Sequence, residues 1–205
     1  MSKYIITGIG TEIGKTAASA IMTESLNADY WKPVQSGANT DSDTLTVKSL
    51  ISNNKSKFHS EAYSLAEPLS PHEAAALENI EINLENIIVP DSEFLIIEGA
   101  GGIMVPLNDT KTFIDLFKRF NIPVVLVIKH YLGAINHTLM SIEVLQRNKI
   151  EIAGLIYNGG DHFGNEYIIN KKSGLPVIGR IAQEPILNKE VVKRYALEFK
   201  NNFDL

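Results

Sequence analysis

The stretch Gly8–Thr16 reads GIGTEIGKT and directly follows the apolar run Tyr4–Thr7. A buried strand, then a glycine-bearing loop, then Gly-Lys-Thr at the start of a helix is how a phosphate-binding loop is built. In such a loop the backbone N–H groups face the phosphates. Lys15 would reach the β- and γ-phosphates, and the Thr16 hydroxyl would bind Mg²⁺. The sequence therefore predicts a site for the phosphates of a nucleotide.

The spacing of this loop differs from the standard pattern by one residue. That pattern has its first glycine five residues before the second, Gly14, at a position that Ile9 occupies here, and Gly8 comes one residue earlier. The alternative is an ordinary glycine-rich turn between a strand and a helix. The position of Gly-Lys-Thr at the change from strand to helix favours the phosphate-binding loop.

Length and composition predict a single domain formed by residues 1–205. The net charge is −5 and the basic residues are scattered, which argues against a nucleic-acid partner. The longest apolar runs are far too short to span a bilayer, so no membrane partner is expected. The chain has no cysteine, which excludes disulfides, thiolate metal sites and cysteine nucleophiles. These features predict a cytoplasmic enzyme.

Alternating strands and helices are predicted along the chain. Apolar runs predict strands at Lys3–Gly8, Asp29–Pro33, Glu93–Glu98, Pro123–Lys129, Ile152–Asn158 and Pro176–Ile181. Helical periodicity predicts helices at Lys15–Leu26, Asp43–Ser52, Thr112–Phe120, Asn136–Asn148, Gly164–Lys172 and Lys189–Asn201. The polar stretch Ser52–Ser64 is predicted to be a surface excursion. Because the strand at Val124–Ile128 lacks polar alternation, we expect an α/β fold with a doubly wound, mainly parallel sheet and helices on both faces.

Ligands of such sheets bind at the carboxyl ends of the strands, where this chain carries charged residues. Lys32 follows the second predicted strand and is either a second cation over the phosphates or a solvated turn lysine. Glu98 ends the third strand and is either a Mg²⁺ ligand or a cap of the next turn. Asp41 and Asp43 precede a predicted helix, and Asp43 is either a metal ligand or a helix N-cap.

Two later segments also follow predicted strands. The segment LGAINHTL at 132–139 enters a helix, whose N-terminus is either an anion site or a turn capped by Asn136. Asn158 is either an amide that pairs with an adenine edge or a turn residue before Gly159.

Taken together, these segments resemble the dethiobiotin synthetases, the ATP-dependent ring-closing enzymes of biotin synthesis. The matching pieces span nearly the whole chain in the order of that family. They are GIGTEIGKT at 8–16, KPVQSG at 32–37, SD at 42–43, EPLSPHEAA at 67–75, EGAGG at 98–102, VPL at 105–107, LGAINHTL at 132–139, the strand ending at Asn158, and PVIGRI at 176–181.

The resemblance implies a P-loop NTPase-like fold and a reaction that joins CO₂ to 7,8-diaminononanoate at the expense of ATP, with Mg²⁺ as cofactor. The N7 amine becomes a carbamate, which takes the γ-phosphoryl group to form a carbamic-phosphoric anhydride. Attack by the N8 amine closes the ring and releases dethiobiotin, ADP and phosphate. The family also implies a homodimer whose active sites are shared between subunits.

The resemblance also assigns residues to each part of the site. The catalytic residues would be Lys15, Lys32 and Thr11. The nucleotide would contact Glu12, Ile13, Gly14, Lys15, Thr16, Ala17 and Asn158. The diamine would contact Thr11, Lys32, Ser36, Gly101 and, from the partner subunit's helix N-terminus, the residues equivalent to Ala134, Ile135 and Asn136. Magnesium would bind Thr16, Asp43 and Glu98.

Several positions depart from the pattern of the family. Gly10 stands where an aspartate is usual, Lys129-His130-Tyr131 replace a shorter turn, Gly159-Gly160 follow Asn158, and Ala182-Gln183 replace a common proline turn. The last two departures fall where adenine is expected, so they bear on base selectivity.

Three other functions compete with this interpretation. A nucleotide-dependent switch of the chromosome-partitioning type would carry a lysine at the position of Gly10. An amidotransferase on the same scaffold would need a cysteine nucleophile. An inactive homologue is disfavoured because the five charged or hydroxyl residues of the site are all present: Lys15, Thr16, Lys32, Asp43 and Glu98.

Overall fold

The computed structural model describes residues 2–39, 42–160, 162–200 and 202. Within these ranges the strands are β1 (Ser2–Gly8), β2 (Asp29–Trp31), β3 (Val34–Ser36), β4 (Phe58–His59), β5 (Tyr63–Leu65), β6 (Phe94–Glu98), β7 (Val124–Lys129), β8 (Ile152–Asn158) and β9 (Val177–Ile181). The helices are α1 (Lys15–Leu26), α2 (Asp43–Leu50), α3 (Pro71–Leu77), α4 (Phe113–Phe120), α5 (Ala134–Arg147), α6 (Phe163–Ser173) and α7 (Lys189–Lys200). A short 3₁₀ helix covers Leu84–Asn86.

Seven of these strands form one parallel sheet in the order β4-β2-β6-β1-β7-β8-β9. Strand β1 lies at its centre, so that Ile5 pairs with Ile97 of β6 and with Val124 of β7. Strands β3 and β5 pair separately as a two-stranded parallel ribbon. The carboxyl ends of β1, β2 and β6 therefore meet at one edge of the sheet, and this edge carries the candidate site.

Helices cover both faces of the sheet. Ile6 packs in a cluster with side chains of α1 and α7, whereas its neighbour Ile5 packs on the opposite face in a cluster with α3 and α4. Residues 124–128 of β7 are completely buried, because both faces of this strand are covered. Double-sided burial explains the absence of polar alternation in this strand and confirms the predicted α/β fold class.

The first disagreement with the sequence prediction follows β2. This strand ends at Trp31 instead of Pro33, because a proline has no N–H for the hydrogen-bond ladder. The chain then forms β3, which pairs with β5 and was not predicted. The prediction of a surface excursion over Ser52–Ser64 is wrong for Phe58–His59, which form the edge strand β4, and for Tyr63, which begins β5. Strands of two or three residues leave too little periodicity to detect.

Helix boundaries give further corrections. Helix α5 begins at Ala134, two residues earlier than predicted, and its N-cap is Gly133 with φ 103°. The interpretation of Asn136 as the N-cap is therefore wrong. Helix α3 was not predicted at all. Asn201, the predicted end of the last helix, lies outside the described residues, as does Asp41.

None of the helices within the described ranges combines the length and apolar character that crossing a membrane requires.

Candidate active site

The phosphate-binding loop connects β1 to α1 in the predicted position. Its glycine before Lys15, Gly14, has φ 91°, and a Cβ there would lie 2.0 Å from Nδ2 of Asn158. No other residue type fits this position without displacing the Asn158 amide. Glu12 also has a positive φ, 56°, so the loop turns sharply twice before the helix begins. The backbone of this loop is therefore held in the curved conformation that surrounds an anion.

Lys15 lies on the floor of the site with only 7% of its surface exposed. Its Nζ donates a hydrogen bond to the Gly10 carbonyl at 2.8 Å. Burial lowers the pKa of Lys15 from 10.5 to about 8, the nearby Glu98 and Asp43 carboxylates oppose that shift, and the Lys32 ammonium adds to it. A buried ammonium with one carbonyl partner is an environment that the charge of a phosphate would stabilise.

Three oxygen-bearing side chains from three elements meet beside Lys15. The Thr16 hydroxyl at the start of α1 lies 2.7 Å from Oδ1 of Asp43 on α2 and 2.9 Å from Oε1 of Glu98 at the end of β6. Adjacent oxygen ligands of an octahedral Mg²⁺ are about 3 Å apart, given Mg–O distances of about 2.1 Å. This set of hard oxygen donors therefore fits the predicted cation. No larger His, Cys, Asp or Glu cluster that could hold a metal occurs among the described residues.

Lys32 is buried between the two carboxylates. Its Nζ lies 2.5 Å from Oδ2 of Asp43 and 3.4 Å from Oε1 of Glu98. Burial by itself would lower the pKa of Lys32, but the two carboxylates outweigh burial and raise it above its ordinary value. The alternative of a solvated turn lysine is wrong, because Lys32 is 3% exposed.

Asp43 is the first residue of α2, but it is not the N-cap. The Ser42 hydroxyl accepts the capping hydrogen bond from the N–H of Leu45 at 3.3 Å. Burial disfavours the charged form of Asp43, but Lys32 and the hydrogen bond from Thr16 outweigh it and hold the pKa of Asp43 below its ordinary value. The carboxylate is therefore ionised and points into the site.

Two residues that sequence reasoning missed support these carboxylates. The Tyr30 hydroxyl donates to Oε2 of Glu98 at 2.9 Å. Burial, and then the charge of Glu98, raise the pKa of Tyr30 well above its ordinary value, so this hydroxyl stays a donor. Gln35 accepts a hydrogen bond from the backbone N–H of Asp43 at 3.0 Å. The spacing Tyr-x-Lys at 30–32 was the available signal for Tyr30, because alternate residues of a strand share one face.

The lysines, Thr16 and the two carboxylates line a cavity of about 870 Å³. The predicted residues on its wall are Thr11, Glu12, Ile13, Gly14, Lys15, Thr16, Lys32, Ser36, Asp43, Glu98 and Gly101. The Ser36 hydroxyl is buried and has no hydrogen-bond partner among the described residues. The segment Pro68–Pro71 and Glu73 also line the cavity, although sequence reasoning gave them no role. The volume is within the usual range for a small-molecule site.

Asn158 reaches the phosphate-binding loop from the end of β8. Its Nδ2 donates to the Ile13 carbonyl at 2.8 Å, and Nζ of Lys129 donates to the Glu12 carbonyl at 3.3 Å. One of the two donors of the Asn158 amide is therefore already used by the loop. Gly159 and Gly160 have positive φ angles of 80° and 32°, so the chain turns immediately after Asn158.

A buried aromatic and charged group lies next to Asn158. The His130 ring stacks on Tyr157 with ring centres 5.4 Å apart, and its Nε2 lies 3.5 Å from Oε1 of Glu166. The other carboxylate oxygen of Glu166 accepts a hydrogen bond from Nε of Arg180 at 2.7 Å. His130, in the turn after β7, thus packs against β8.

Five predicted residues do not line the cavity, namely Asn158, described above, and four residues at the starts of two helices. Ala17 lies in the first turn of α1, and Ala134, Ile135 and Asn136 form the first turn of α5. Asn136 is exposed and its side chain donates to Sδ of Met140 at 3.3 Å. The described chain does not bring the start of α5 to this cavity, so the assignment of that turn to a neighbouring subunit's site stays a prediction.

Two glycines, Gly10, which departs from the family pattern, and Gly101, which belongs to the EGAGG motif, have different surroundings. A Cβ at Gly10 would meet nothing within 4 Å, so this position has room for a side chain. A Cβ at Gly101, where φ is 60°, would lie 2.7 Å from the Val105 side chain. A larger residue would therefore fit at position 10, whereas the close packing of its loop requires glycine at position 101.

Comparison with known proteins adds three findings. A family model described as an AAA domain matches residues 2–191. The ATP-dependent dethiobiotin synthetase BioD of Christiangramia forsetii is 48% identical over 198 residues, which cover 96% of this chain and 95% of that protein. The enzyme of the same name from Cytophaga hutchinsonii is 45% identical over 205 residues, covering 99% of each chain.

Solved structures with the same fold include the cell division ATPase MinD of Pyrococcus furiosus, with a TM-score of 0.60 at 12% identity, covering 98% of this chain and 99% of that one. A ParA family ATPase from Chlorobium tepidum has a TM-score of 0.56 at 11% identity, covering 98% and 91%. At these identities the likeness concerns the fold alone.

Proposed function

The chain belongs to the dethiobiotin synthetase family, and from that premise we propose how its residues carry out the reaction. As a member of this family it is an ATP-dependent ligase that closes the ring of dethiobiotin in biotin biosynthesis. The relatives match this chain along nearly their whole length.

The substrates we propose are 7,8-diaminononanoate, CO₂ and ATP. The N7 amine adds to CO₂ and loses a proton, which gives a carbamate. A carbamate oxygen attacks the γ-phosphorus, ADP leaves, and a carbamic-phosphoric anhydride forms. The N8 amine then attacks the carbonyl carbon, the C–O bond to phosphate breaks, and the cyclic urea of dethiobiotin is closed.

Lys15 and Lys32 neutralise charge on either side of the transferring phosphoryl group. Phosphoryl transfer depends mainly on positioning and charge stabilisation, and both ammonium groups already lie fixed in a site shielded from water. The fixed position of Lys32 comes from Asp43 at 2.5 Å and Glu98 at 3.4 Å. We assign Lys15 to the β- and γ-phosphates and Lys32 to the carbamate.

Thr16, Asp43 and Glu98 would hold Mg²⁺, since the Thr16 hydroxyl lies 2.7 Å from an Asp43 oxygen and 2.9 Å from a Glu98 oxygen. The bound cation would neutralise phosphate charge and orient the polyphosphate. The residues of this chain contribute the ligand oxygens and the neighbouring ammonium groups that keep the site close to electrical balance.

The diamine would lie along the wall of the cavity formed by Thr11, Ser36 and Gly101. The Ser36 hydroxyl supports this placement, because it is buried without a partner among the described residues and an amine or carbamate would satisfy it. The nucleotide would lie along Glu12–Ala17, with its base towards Asn158. The Nδ2 contact of Asn158 with the Ile13 carbonyl supports a role in shaping that end of the loop.

We further propose that residues 1–205 form one domain, that the enzyme is a cytoplasmic homodimer, and that the first turn of α5 from the second copy binds the substrate carboxylate. Exposed apolar side chains surround this turn: Leu132 is fully exposed, Met140 is 58% exposed and Tyr131 is 40% exposed. An exposed apolar cluster beside a helix N-terminus suits a subunit interface that also offers an anion site.

The observation that carries the proposal is the convergence of Thr16, Asp43 and Glu98 with two buried lysines on the floor of one cavity. The test is an assay of purified protein with 7,8-diaminononanoate, bicarbonate, Mg²⁺ and each of ATP, GTP and CTP, with dethiobiotin detected by mass spectrometry. Lys32→Ala is the diagnostic variant, and Lys172→Ala, an exposed lysine on α6, is its matched control.

We expect product with ATP, almost none from Lys32→Ala, and normal product from Lys172→Ala. Product with several triphosphates would support the chemistry and point to relaxed base selectivity near Asn158. Full activity of Lys32→Ala would overturn the role of Lys32, and no product from a well-folded wild-type dimer would overturn the proposed substrates.

A further inference from the structure

Tyr30 and Glu98 lie on adjacent parallel strands and on the same face of the sheet. Tyr30 of β2 pairs with Ile96 of β6, and Glu98 follows Ile96 by two residues, so the tyrosine and the carboxylate are diagonal neighbours. Diagonal positions are within reach of a long aromatic side chain. Lys32 follows Tyr30 by two residues, and the carboxylate of Glu98 contacts both side chains.

The two oxygens of the Glu98 carboxylate have separate partners. Oε2 accepts the hydrogen bond from the Tyr30 hydroxyl at 2.9 Å, whereas Oε1 faces Thr16 at 2.9 Å and Lys32 at 3.4 Å. Tyr30 is 0% exposed and Glu98 is 1% exposed, so water does not compete for the Oε2 contact. These separate partners hold the Glu98 carboxylate in one orientation about its Cγ–Cδ bond.

We propose that Tyr30 is a positioning residue of the enzyme, whose hydroxyl occupies Oε2 of Glu98 and so keeps Oε1 directed at Thr16 and the cation. The inference rests on the proposed role of Glu98 as a metal ligand. Tyr30 touches neither substrate nor metal, and it acts through the orientation of Glu98. Partners of this kind around a ligand commonly change metal affinity by about tenfold to a hundredfold.

A purely structural role makes a different prediction. If the hydroxyl only satisfied a buried carboxylate, its removal would lower stability and leave the cation dependence of nucleotide binding unchanged. If it positions Glu98, its removal raises the Mg²⁺ concentration that nucleotide binding requires, while binding without Mg²⁺ stays the same. The two roles therefore separate in a binding measurement that does not depend on turnover.

The experiment is isothermal titration calorimetry of ADP binding at a series of Mg²⁺ concentrations, with chemical unfolding of each variant. Tyr30→Phe removes the hydroxyl and keeps the ring, which packs on Phe58 with ring centres 5.9 Å apart. Tyr157→Phe is the matched control, because it loses a hydroxyl hydrogen bond of 2.8 Å whose partner is the Asn170 amide and not a carboxylate. For Tyr30→Phe we expect the Mg²⁺ concentration at half-maximal effect to rise about tenfold.

Glu98→Gln and the double variant separate this inference from the proposed metal role. If Tyr30 acts through Glu98, the double variant has the Mg²⁺ dependence of Glu98→Gln, so the two effects are not additive. In Tyr30→Phe the Glu98 carboxylate loses a buried hydrogen-bond partner, which lowers stability. The double variant has a neutral amide in place of that carboxylate, so it can be measured even if Tyr30→Phe alone is too unstable.

An unchanged Mg²⁺ dependence in Tyr30→Phe, with a raised one in Glu98→Gln, would overturn the positioning role and leave the metal role of Glu98 intact. Additive effects in the double variant would also overturn it. An unchanged dependence in Glu98→Gln would overturn the metal role, and the inference with it.

Discussion

The two ends of the nucleotide site are built differently. The phosphate end is formed by Lys15, Thr16, Lys32, Asp43 and Glu98. Lys32 forms ion pairs with both carboxylates, and the Thr16 hydroxyl contacts both as well. The proposed base end, formed by Asn158–Gly160 and Ala182–Gln183, relies on amides, backbone groups and a turn held by Tyr195. The Tyr195 hydroxyl accepts from the N–H of Ala182 at 3.0 Å and donates to Glu184 at 2.5 Å.

This difference indicates which end of the site tolerates substitutions and which does not. At the phosphate end, replacing Lys32, Asp43 or Glu98 removes a buried ion pair, which is costly. At the base end, neutral contacts are weaker and neighbouring groups can adjust. The same contrast appears in the sequence, since the phosphate end follows the family motifs apart from Gly10, whereas the segments after Asn158 and Ile181 depart from them.

The largest expected effect is at Lys15. Lys15→Ala should reduce turnover by about a thousandfold, because the ammonium that stabilises the transferring charge is lost. The fold should be retained, since the Nζ contact is a single hydrogen bond to the Gly10 carbonyl. Mass spectrometry measures turnover, and circular dichroism measures whether the variant keeps its fold. Turnover near that of the wild type would mean that the phosphate end does not depend on this charge.

Asp43→Asn should have the next largest effect. The amide keeps the shape of the side chain but removes the charge that faces Lys32 and the cation, so the Mg²⁺ requirement should rise by about tenfold. The measurement is activity against Mg²⁺ concentration. Ser42→Ala, which removes the N-cap of α2 and no carboxylate, is the matched control. A normal Mg²⁺ requirement in Asp43→Asn would mean that Asp43 is not a metal ligand and serves only as the ion-pair partner of Lys32.

The pH dependence of ADP binding tests the buried state of Lys15. Because its pKa is lowered to about 8, roughly half of the protein should take up one proton on binding ADP at pH 8. Calorimetry in two buffers of different ionisation enthalpy measures this uptake, and Lys15→Arg should show none. The unfolded chain binds more protons than the folded one between pH 8 and 10.5, so this lysine makes the free energy of unfolding rise with pH in that window. Absence of proton uptake at pH 8 would show that Lys15 is not desolvated in the free enzyme.

The smallest effect is expected at the base end. Asn158→Ala removes the hydrogen bond to the Ile13 carbonyl, which is worth about 1 kcal/mol, so KM for ATP should rise about fivefold with kcat nearly unchanged. Steady-state kinetics with ATP, GTP and CTP give the change and the base preference. Asn148→Ala loses a similar contact of 2.9 Å to the Val144 carbonyl, remote from the cavity, and is the control. A loss of kcat as large as that of Lys15→Ala would remove the distinction between the two ends.

Much of this arrangement could be predicted from sequence because its signals are local. The strand, loop and helix around Gly14 and Lys15 follow one another without interruption. Unbroken apolar runs predict the long buried strands. The short pairings could not be predicted. Strand β4 has two residues, and whether Phe58 pairs with Tyr30 depends on a neighbour 28 positions earlier in the chain.

The sequence by itself determined the fold class, the phosphate-binding loop and the identity of the charged residues, because each depends on residue type and spacing within a short segment. Only the tertiary structure decided how those residues share their contacts. Tyr30, Lys32 and Thr16 all meet the carboxylate of Glu98, although they lie 66 to 82 positions away from it in the chain. Strand order and register bring them together, and neither is encoded in any one segment.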